Sequence, residues 1–360
     1  MTLLADILDQ VELATAVETG HVRRQRHPDL PYVIYNYTET CQYAGAWTPV
    51  TLACRGLIAD ESTGAVVARV LPKFFNHTES HAPELRLDAA VRVTDKADGS
   101  LGIVYRDGDA GWAVATRGSF TSEQARHATT VLRERYGAFV PPAGWTVLVE
   151  IIYPANRIVV DYAGLDDLVL LGAVDIATGR TYGPEAVPGW PGPVVQTFGY
   201  ATLAEALAAP PRDGREGLVV HVVDTDERVK IKYAEYVRLH RLVTGLTART
   251  VWEVLVNGGD LDALIEPLPD EFHAWVTDVA AGLHAEVAAL AARIEAEYAR
   301  IVAALPDGGT RREFAAAAVA SPFRGALFLR LDGKDYRPGL WQQVRPPGDV
   351  TPGGGAPDEE

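Results

Sequence analysis

Residues 95–102 read D-K-A-D-G-S-L-G. Val91 and Val93 alternate with polar residues before the string, and residues 101–106 have strand character after it, so it joins two predicted strands. Asp98-Gly99 is a common hairpin signal, and on that reading Lys96 is a surface lysine before a tight turn. The sharper reading makes Lys96 a covalent nucleophile at a strand end, with an aspartate, a glycine and a serine placed to shape its loop. The rest of the chain decides between them.

Working outward, further strand-like runs fall at 32–37, 57–60, 66–70, 112–116, 146–152, 158–162, 168–175, 217–223 and 228–232. Turn punctuation such as Asp107-Gly108 and Ser62-Thr63-Gly64 separates them. Residues 1–20 read as a first helix. Residues 121–136 read as another, with Thr121 as N-cap and Gln124 three residues on. The pattern predicts an α+β fold of mainly antiparallel sheets with flanking helices. From about 250 the chain turns rich in Ala, Leu and Glu at helical spacing. We therefore expect a catalytic domain over 1–247, an all-α domain over 248–345, and a Pro/Gly-rich acidic tail over 346–360 that is disordered.

Bulk properties exclude several classes. At 360 residues the chain can bury two cores, and no apolar run approaches the roughly 20 residues that span a bilayer, so no membrane partner is expected. The N-terminus is acidic and amphipathic and lacks the basic start of a signal peptide. Two cysteines, Cys41 and Cys54, make no disulfide framework, and a reducing cytoplasm is the simplest setting. Neither CxxC nor paired-His spacing suggests structural zinc. A net charge of −15 argues against nonspecific coating of nucleic acid. Yet within 227–250 six cations (Arg228, Lys230, Lys232, Arg238, Arg241, Arg249) face two acids (Glu227, Glu235), leaving a local balance of +4.

Five further strings surround Lys96 in order: C-R-G at 54–56, P-K-F-F-N at 72–76, V-E-I-I-Y-P-A-N-R-I-V at 149–159, R-E-G-L-V-V at 215–220 and V-K-I-K-Y-A-E-Y-V at 229–237. They supply what covalent nucleotidyl transfer needs. A lysine nucleophile must be neutral, and at pH 7 only roughly one unperturbed lysine in 10³ to 10⁴ is. Neighbouring cations lower that pKa, and Lys230, Lys232 and a bound Mg²⁺ are candidates. Lys230 and Lys232 share one face of a predicted strand, within reach of a nucleotide's phosphates and of charge developing on leaving pyrophosphate. Glu150 and Glu216, on predicted strands, are candidates for a divalent metal or for nucleotide hydroxyls. Arg55 offers a fork to a phosphate. Glu150 stands between Val147-Leu148-Val149 and Ile151-Ile152, where an unpaired charge is costly.

This set resembles the phage RNA ligase 1 type of ATP-dependent RNA ligase, within the covalent nucleotidyltransferases, over about residues 50–240. C-R-G, K-F-F-N, the Pro-x-Asn-Arg-Ile-Val run and K-I-K followed by Tyr236 are particular to that branch. K-x-D-G, E-G and K-x-K are shared with DNA ligases and capping enzymes. The resemblance implies that Lys96 carries AMP from ATP with Mg²⁺ (or Mn²⁺) as cofactor. It implies that Glu150 and Glu216 take the two acidic motif positions and Lys230 and Lys232 the final lysine motif, and that Arg55, Lys73, Asp98, Gly99, Arg117 and Tyr236 complete the nucleotide site. It further implies RNA ends as partners, cleaved tRNA among them, and an end-healing kinase-phosphatase upstream.

Two positions depart from the pattern. Arg117 stands in R-G-S where a lysine is expected, keeping charge but not geometry. Val149 and Ile151 flank Glu150 where aromatics are expected, leaving Phe74, Phe75 and Tyr153 as candidates to stack on adenine. Alternatives are a DNA ligase, a GTP-using capping enzyme, and an RNA-end-binding protein with an inactive nucleotide site. Bland readings accompany each residue: solvated strand lysines for Lys230 and Lys232, an ion-pair partner for Arg55, core for Phe74 and Phe75, and a loop-holding role for Arg157. No strand-rich segment follows Tyr236, so an OB-fold is not expected.

Overall fold

The computed structural model describes residues 1–265, 268, 270–306 and 309–348; the expected tail beyond 348 lies outside them. Contacts divide the chain into two compact units, Met1–Arg238 and Leu239–Glu360, the division falling inside the helix Ala234–Thr244.

The first unit is α+β. Its strands are β1 (Val22–Arg26), β2 (Tyr32–Tyr37), β3 (Arg55–Asp60), β4 (Val66–Ala68), β5 (Phe75–Asn76), β6 (Val91–Asp95) and β7 (Ser100–Arg106). There follow β8 (Trp112–Ala115), β9 (Trp145–Ile152), β10 (Asp167–Asp175), β11 (Thr181–Tyr182), β12 (Thr197–Phe198), β13 (Gly217–Val222) and β14 (Arg228–Lys232). They form three sheets, ordered β1-β2-β3-β4, β11-β10-β9-β7-β8 and β12-β6-β13-β14-β5. Pairing is antiparallel except β14 with β5, which run parallel. β6 and β7 belong to different sheets, so the Asp98-Gly99 turn is no hairpin. It is a crossing from one sheet to the next.

Apolar alternation places the cores. Ile34 and Ile58 from the first sheet pack with Ile103, Tyr105 and Leu148 from the second. The other face of the second sheet buries Val104, Val147, Val149 and Leu170 under Ala128, Val131 and Leu132 of the helix Glu123–Arg135. Each Val, Leu or Ile side chain among them, taken fully from water, contributes about 1.5–3 kcal/mol. Ser122, not Thr121, caps that helix, accepting from the Ala125 N–H, while the Thr121 N–H donates to Ser119 Oγ. The expected single N-terminal helix is two, Leu4–Ile7 and Gln10–Glu18, because Asp9 turns extended and caps the second through the N–H groups of Val11 and Glu12.

Residues 158–162 form no strand. The Val159 and Val160 N–H groups that a ladder would use donate instead to one oxygen of Asp98. Among the elements without a clear sequence signal are β1 (V-R-R-Q-R, exposed after Val22) and the short helices Glu39–Ala44 and Pro49–Ala53.

The second unit is helical among its described residues. The helix Asp270–Ala304 presents Leu283, Val287, Ile294 and Ile301 to Trp252, Phe314, Leu327 and Leu340 of the shorter helices. No described helix is long and apolar enough to cross a membrane.

Candidate active site

Lys96 follows the last residue of β6, and its N–H donates to the Gly217 carbonyl at 3.0 Å. The loop after it is fixed at two further backbone N–H groups. The Asp98 N–H donates to Tyr162 Oη at 2.7 Å, and the Gly99 N–H to Glu150 Oε1 at 3.1 Å. Asp98, only 3% exposed, spends its whole carboxylate internally. Oδ2 accepts the Val159 and Val160 N–H groups at 2.9 and 2.8 Å, and Oδ1 accepts Tyr236 Oη at 2.7 Å. Asp98 and Tyr236, read as nucleotide-site residues, are thus seen bonding each other and holding the crossing between sheets. At Gly99 a Cβ would meet the Ile151 carbonyl oxygen at 2.5 Å, so the close approach to β9 demands glycine.

The P-A-N-R-I-V run serves the same loop. Asn156 Nδ2 donates to Ser100 Oγ and the Ile151 carbonyl, each at 3.1 Å. Arg157 donates to the Val159 carbonyl from Nε and Nη2, bracing the turn as its bland reading held.

Above the loop lies a buried charge cluster. Lys96 Nζ stands 2.6 Å and Lys232 Nζ 3.2 Å from the same oxygen, Glu216 Oε1. Glu216 is fully buried immediately before β13. Antiparallel pairing of β13 with β14 sets Gly217 against Lys232 and Leu218 against Ile231, which brings the carboxylate to that lysine. Glu150 reaches in from β9 of the neighbouring sheet. Burial pushes its carboxyl up to about 7; Glu216 and Asp98 add to the rise, and Lys96 and Arg55 oppose it.

A second cluster gathers around Tyr37 at the end of β2. Asn36 pairs with Arg55 across the sheet, placing Tyr37 beside the C-R-G string. Arg117 Nη1 donates to Tyr37 Oη at 3.0 Å. Lys73 Nζ lies 5.4–5.5 Å from the ring centres of Tyr37, Trp47 and Phe75. Burial alone would raise the Tyr37 phenol, but Arg117, Lys73 and Arg55 outweigh it and hold the group below its ordinary value. Burial lowers both Arg55 and Lys73. Arg55 Nη1 is buried without a hydrogen-bond partner among the described residues, a costly state for a charged donor and one that an anion's oxygen would relieve. Phe74 joins the clusters, with Arg55 Cζ and Lys230 Nζ each 5.4 Å from its ring centre.

The structure therefore draws all the sequence-derived candidates into one unit and two linked groups. One comprises Lys96, Glu216, Lys232, Glu150, Asp98, Gly99 and Tyr236. The other comprises Arg55, Lys73 and Arg117, with Lys230 between them. Sequence reasoning missed Tyr37 and Trp47. No local sequence pattern signalled them; the register of β2 on β3, which sets Asn36 against Arg55, brings Tyr37 there. Of the stacking candidates, Tyr153 is buried against His127, with ring centres 4.0 Å apart, and Phe75 is buried beside Lys73. Phe74 remains partly open. Among the described residues no three or more His, Cys, Asp or Glu side chains are grouped to hold a metal ion.

Residues 53–187 match a family model described as RNA ligase. A protein named as a bifunctional polynucleotide kinase/RNA ligase of Autographa californica nuclear polyhedrosis virus is 26% identical over 248 residues, 61% of this chain and 35% of the relative; the chain spans about a third of that relative's length. Among solved structures, an RNA ligase of Naegleria gruberi with AMP and Mn is 21% identical and covers 43% of this chain and 53% of its own, with a TM-score of 0.34. A protein named as an ATP-dependent DNA ligase of Aquifex aeolicus is 15% identical over 75% of this chain and 70% of its own, with a TM-score of 0.42.

Proposed function

We propose that the chain is an ATP-dependent RNA ligase that joins 5′-phosphate and 3′-hydroxyl ends through a lysyl–AMP intermediate. One observation carries this reading: within a segment matching the RNA ligase family, Lys96 sits in a rigidly anchored loop, paired with buried Glu216, beside a cation cluster whose Arg55 Nη1 has no hydrogen-bond partner among the described residues.

In the first step Lys96 Nζ attacks the α-phosphorus of ATP, a P–N bond forms, and pyrophosphate leaves. Glu216 Oε1, at 2.6 Å, is placed to take the ammonium proton. Lys96 and Glu216 together are neutral before and after that transfer, so Lys232, on the same oxygen, leaves the group net positive toward the phosphates. Arg55, Lys73, Arg117 and Lys230 supply preformed positive charge for the departing pyrophosphate, and Phe74 offers a partly open ring. The AMP then passes to a 5′-phosphate RNA end, and a 3′-hydroxyl displaces it to close the phosphodiester.

Glu150 and Glu216 suit a divalent cation that arrives with the nucleotide, since Mg²⁺ is commonly held by one or two carboxylates plus substrate phosphates. The uncompensated burial that raises Glu150 is the observation favouring it. When bound, Mg²⁺ or Mn²⁺ would neutralise phosphate charge.

We assign 1–247 to adenylyl transfer, 248–345 to a helical domain that helps recognise RNA, and cleaved tRNA with a separate end-healing activity to the biological setting. The test is transfer of label from ATP carrying ³²P at the α-phosphate, then sealing of RNA against DNA ends. Labelled wild type, unlabelled Lys96→Ala and preference for RNA support the reading. Label from GTP, or sealing of DNA alone, points to the other nucleotidyltransferases. No label at all leaves an end-binding protein.

A further inference from the structure

Arg212 lies in the loop before Glu216 and belongs to none of the strings that suggested the site. We infer that it is a positioning residue that sets the register of Lys96, Glu216 and Lys232; the inference rests on the ligase reading for its meaning but not for its geometry. Its guanidinium touches the chain neighbour of each. Nη2 donates to Asp95 Oδ1, one residue before Lys96. Nη2 also reaches the Gly217 carbonyl at 3.4 Å, one residue after Glu216, and Nε donates to Tyr233 Oη at 3.3 Å, one residue after Lys232.

These contacts converge on groups already tied together. The Gly217 carbonyl accepts both Arg212 and the Lys96 N–H, and the Tyr233 N–H donates to the Glu216 carbonyl at 2.9 Å. Phe198 on β12, which pairs with Val93 of β6, lies 4.5 Å from Arg212 Cζ and fixes the plane of the fork. The planar guanidinium meets three acceptors on three segments; a lysine could meet Asp95 but not the other two at once. Arg215 Nη1, 3.9 Å from Asp95 Oδ2, is too distant to replace it.

Because misplacement of a reacting group by about 1 Å costs on the order of 10²-fold in rate, loss of the clamp should appear in the rate of chemistry more than in ATP binding. The experiment compares wild type, Arg212→Lys and Arg212→Ala in two assays. Single-turnover labelling from ATP should show a maximal rate falling on the order of 10²-fold in Arg212→Ala. Half-saturating ATP should stay within about threefold, with Arg212→Lys between. Acetic anhydride modification of Lys96, mapped by mass spectrometry across pH, should be several-fold faster in Arg212→Ala, because the amine is no longer held on Glu216. Equal Lys96 reactivity in all three proteins overturns the proposal, as does a labelling defect confined to half-saturating ATP. If wild type takes no label while Lys96 reactivity still follows the Arg212 series, the clamp stands and the ligase reading falls.

Discussion

Replacing Glu150 by glutamine should stabilise the ligand-free protein, and only at high pH. Its carboxyl is raised from 4.5 to about 7, chiefly by burial. Between those values the folded state keeps a proton that the unfolded chain has released, so stability falls as pH rises through the window and is fully present below it. Converted at about 1.36 kcal/mol per pH unit, the ionised group at pH 8 costs the fold about 3 kcal/mol. Glutamine removes this titration and keeps an oxygen to accept the Gly99 N–H. Urea unfolding of wild type and Glu150→Gln, without nucleotide or metal, should give matching stabilities at pH 4.5. A gap in favour of the variant should then open to about 3 kcal/mol at pH 8, a midpoint shift of about 1 M or more.

Subtraction matters, because His221 works the other way. Burial, reinforced by Arg228, holds its imidazole down to about 4, so its contribution to stability is lost as pH falls from 6.5 toward that value. The effect is common to both proteins and cancels in the difference. A difference curve that stays flat from pH 4.5 to 8 would refute the argument that Glu150 is an uncompensated buried acid. The same variant should label poorly, which would mark Glu150 as a group whose charge burdens the fold and serves the chemistry.

Four other substitutions test the site piece by piece. Gly99→Ala drives a Cβ to 2.5 Å from the Ile151 carbonyl oxygen; it should cost about 1–3 kcal/mol in urea unfolding, and an unchanged midpoint would show that the loop yields freely. Tyr236→Phe strips one donor from buried Asp98 and should lower stability by about 1–3 kcal/mol, with slower labelling; wild-type stability would mean the 2.7 Å bond contributes nothing. Lys232→Ala and Lys230→Ala should each cut the labelling rate by about 10²-fold or more, and unchanged rates in both would remove their phosphate role.

What could be read in advance followed from period and spacing. Residues 217–223 are a short, nearly continuous apolar run, 228–232 alternate, and a polar turn joins them, so β13 and β14 and the shared face of Lys230 and Lys232 were legible. The region after 250 declared its helices because Ala, Leu and Glu recur at helical intervals. Residues 158–162 deceived for a physical reason. I-V-V-D-Y has strand composition, but its N–H groups have a stronger acceptor in a buried carboxylate sixty-odd positions upstream, and no local pattern reports a partner at that separation. Tyr37 was overlooked similarly. Its ring reads as one more aromatic in Y-V-I-Y-N-Y, and only pairing of β2 with β3 turns it into the hub of three cations.

The crossing at Asp98-Gly99, where the sequence also allowed a hairpin, bears most on mechanism. A hairpin would have placed Lys96 at the tip of one sheet, with solvent on one side and little to restrain it. A crossing does the opposite. The strand before Lys96 is bonded to β13, which delivers Glu216, while the strand after it is bonded to β9, which delivers Glu150. The two carboxylates meet at one lysine because the chain changes sheets there. The crossing holds its path because Asp98 gathers donors from 159–160 and from Tyr236, and because Gly99 lets the backbone close on Ile151. On this view the aspartate and glycine of K-A-D-G are there to shape the crossing. Asp98→Asn, which leaves one acceptor oxygen for three donors, should impair Lys96 more than its distance from any phosphate would suggest. If Asp98→Asn labels at the wild-type rate, the crossing is rigid without its carboxylate and the assignment of Asp98 as its anchor fails.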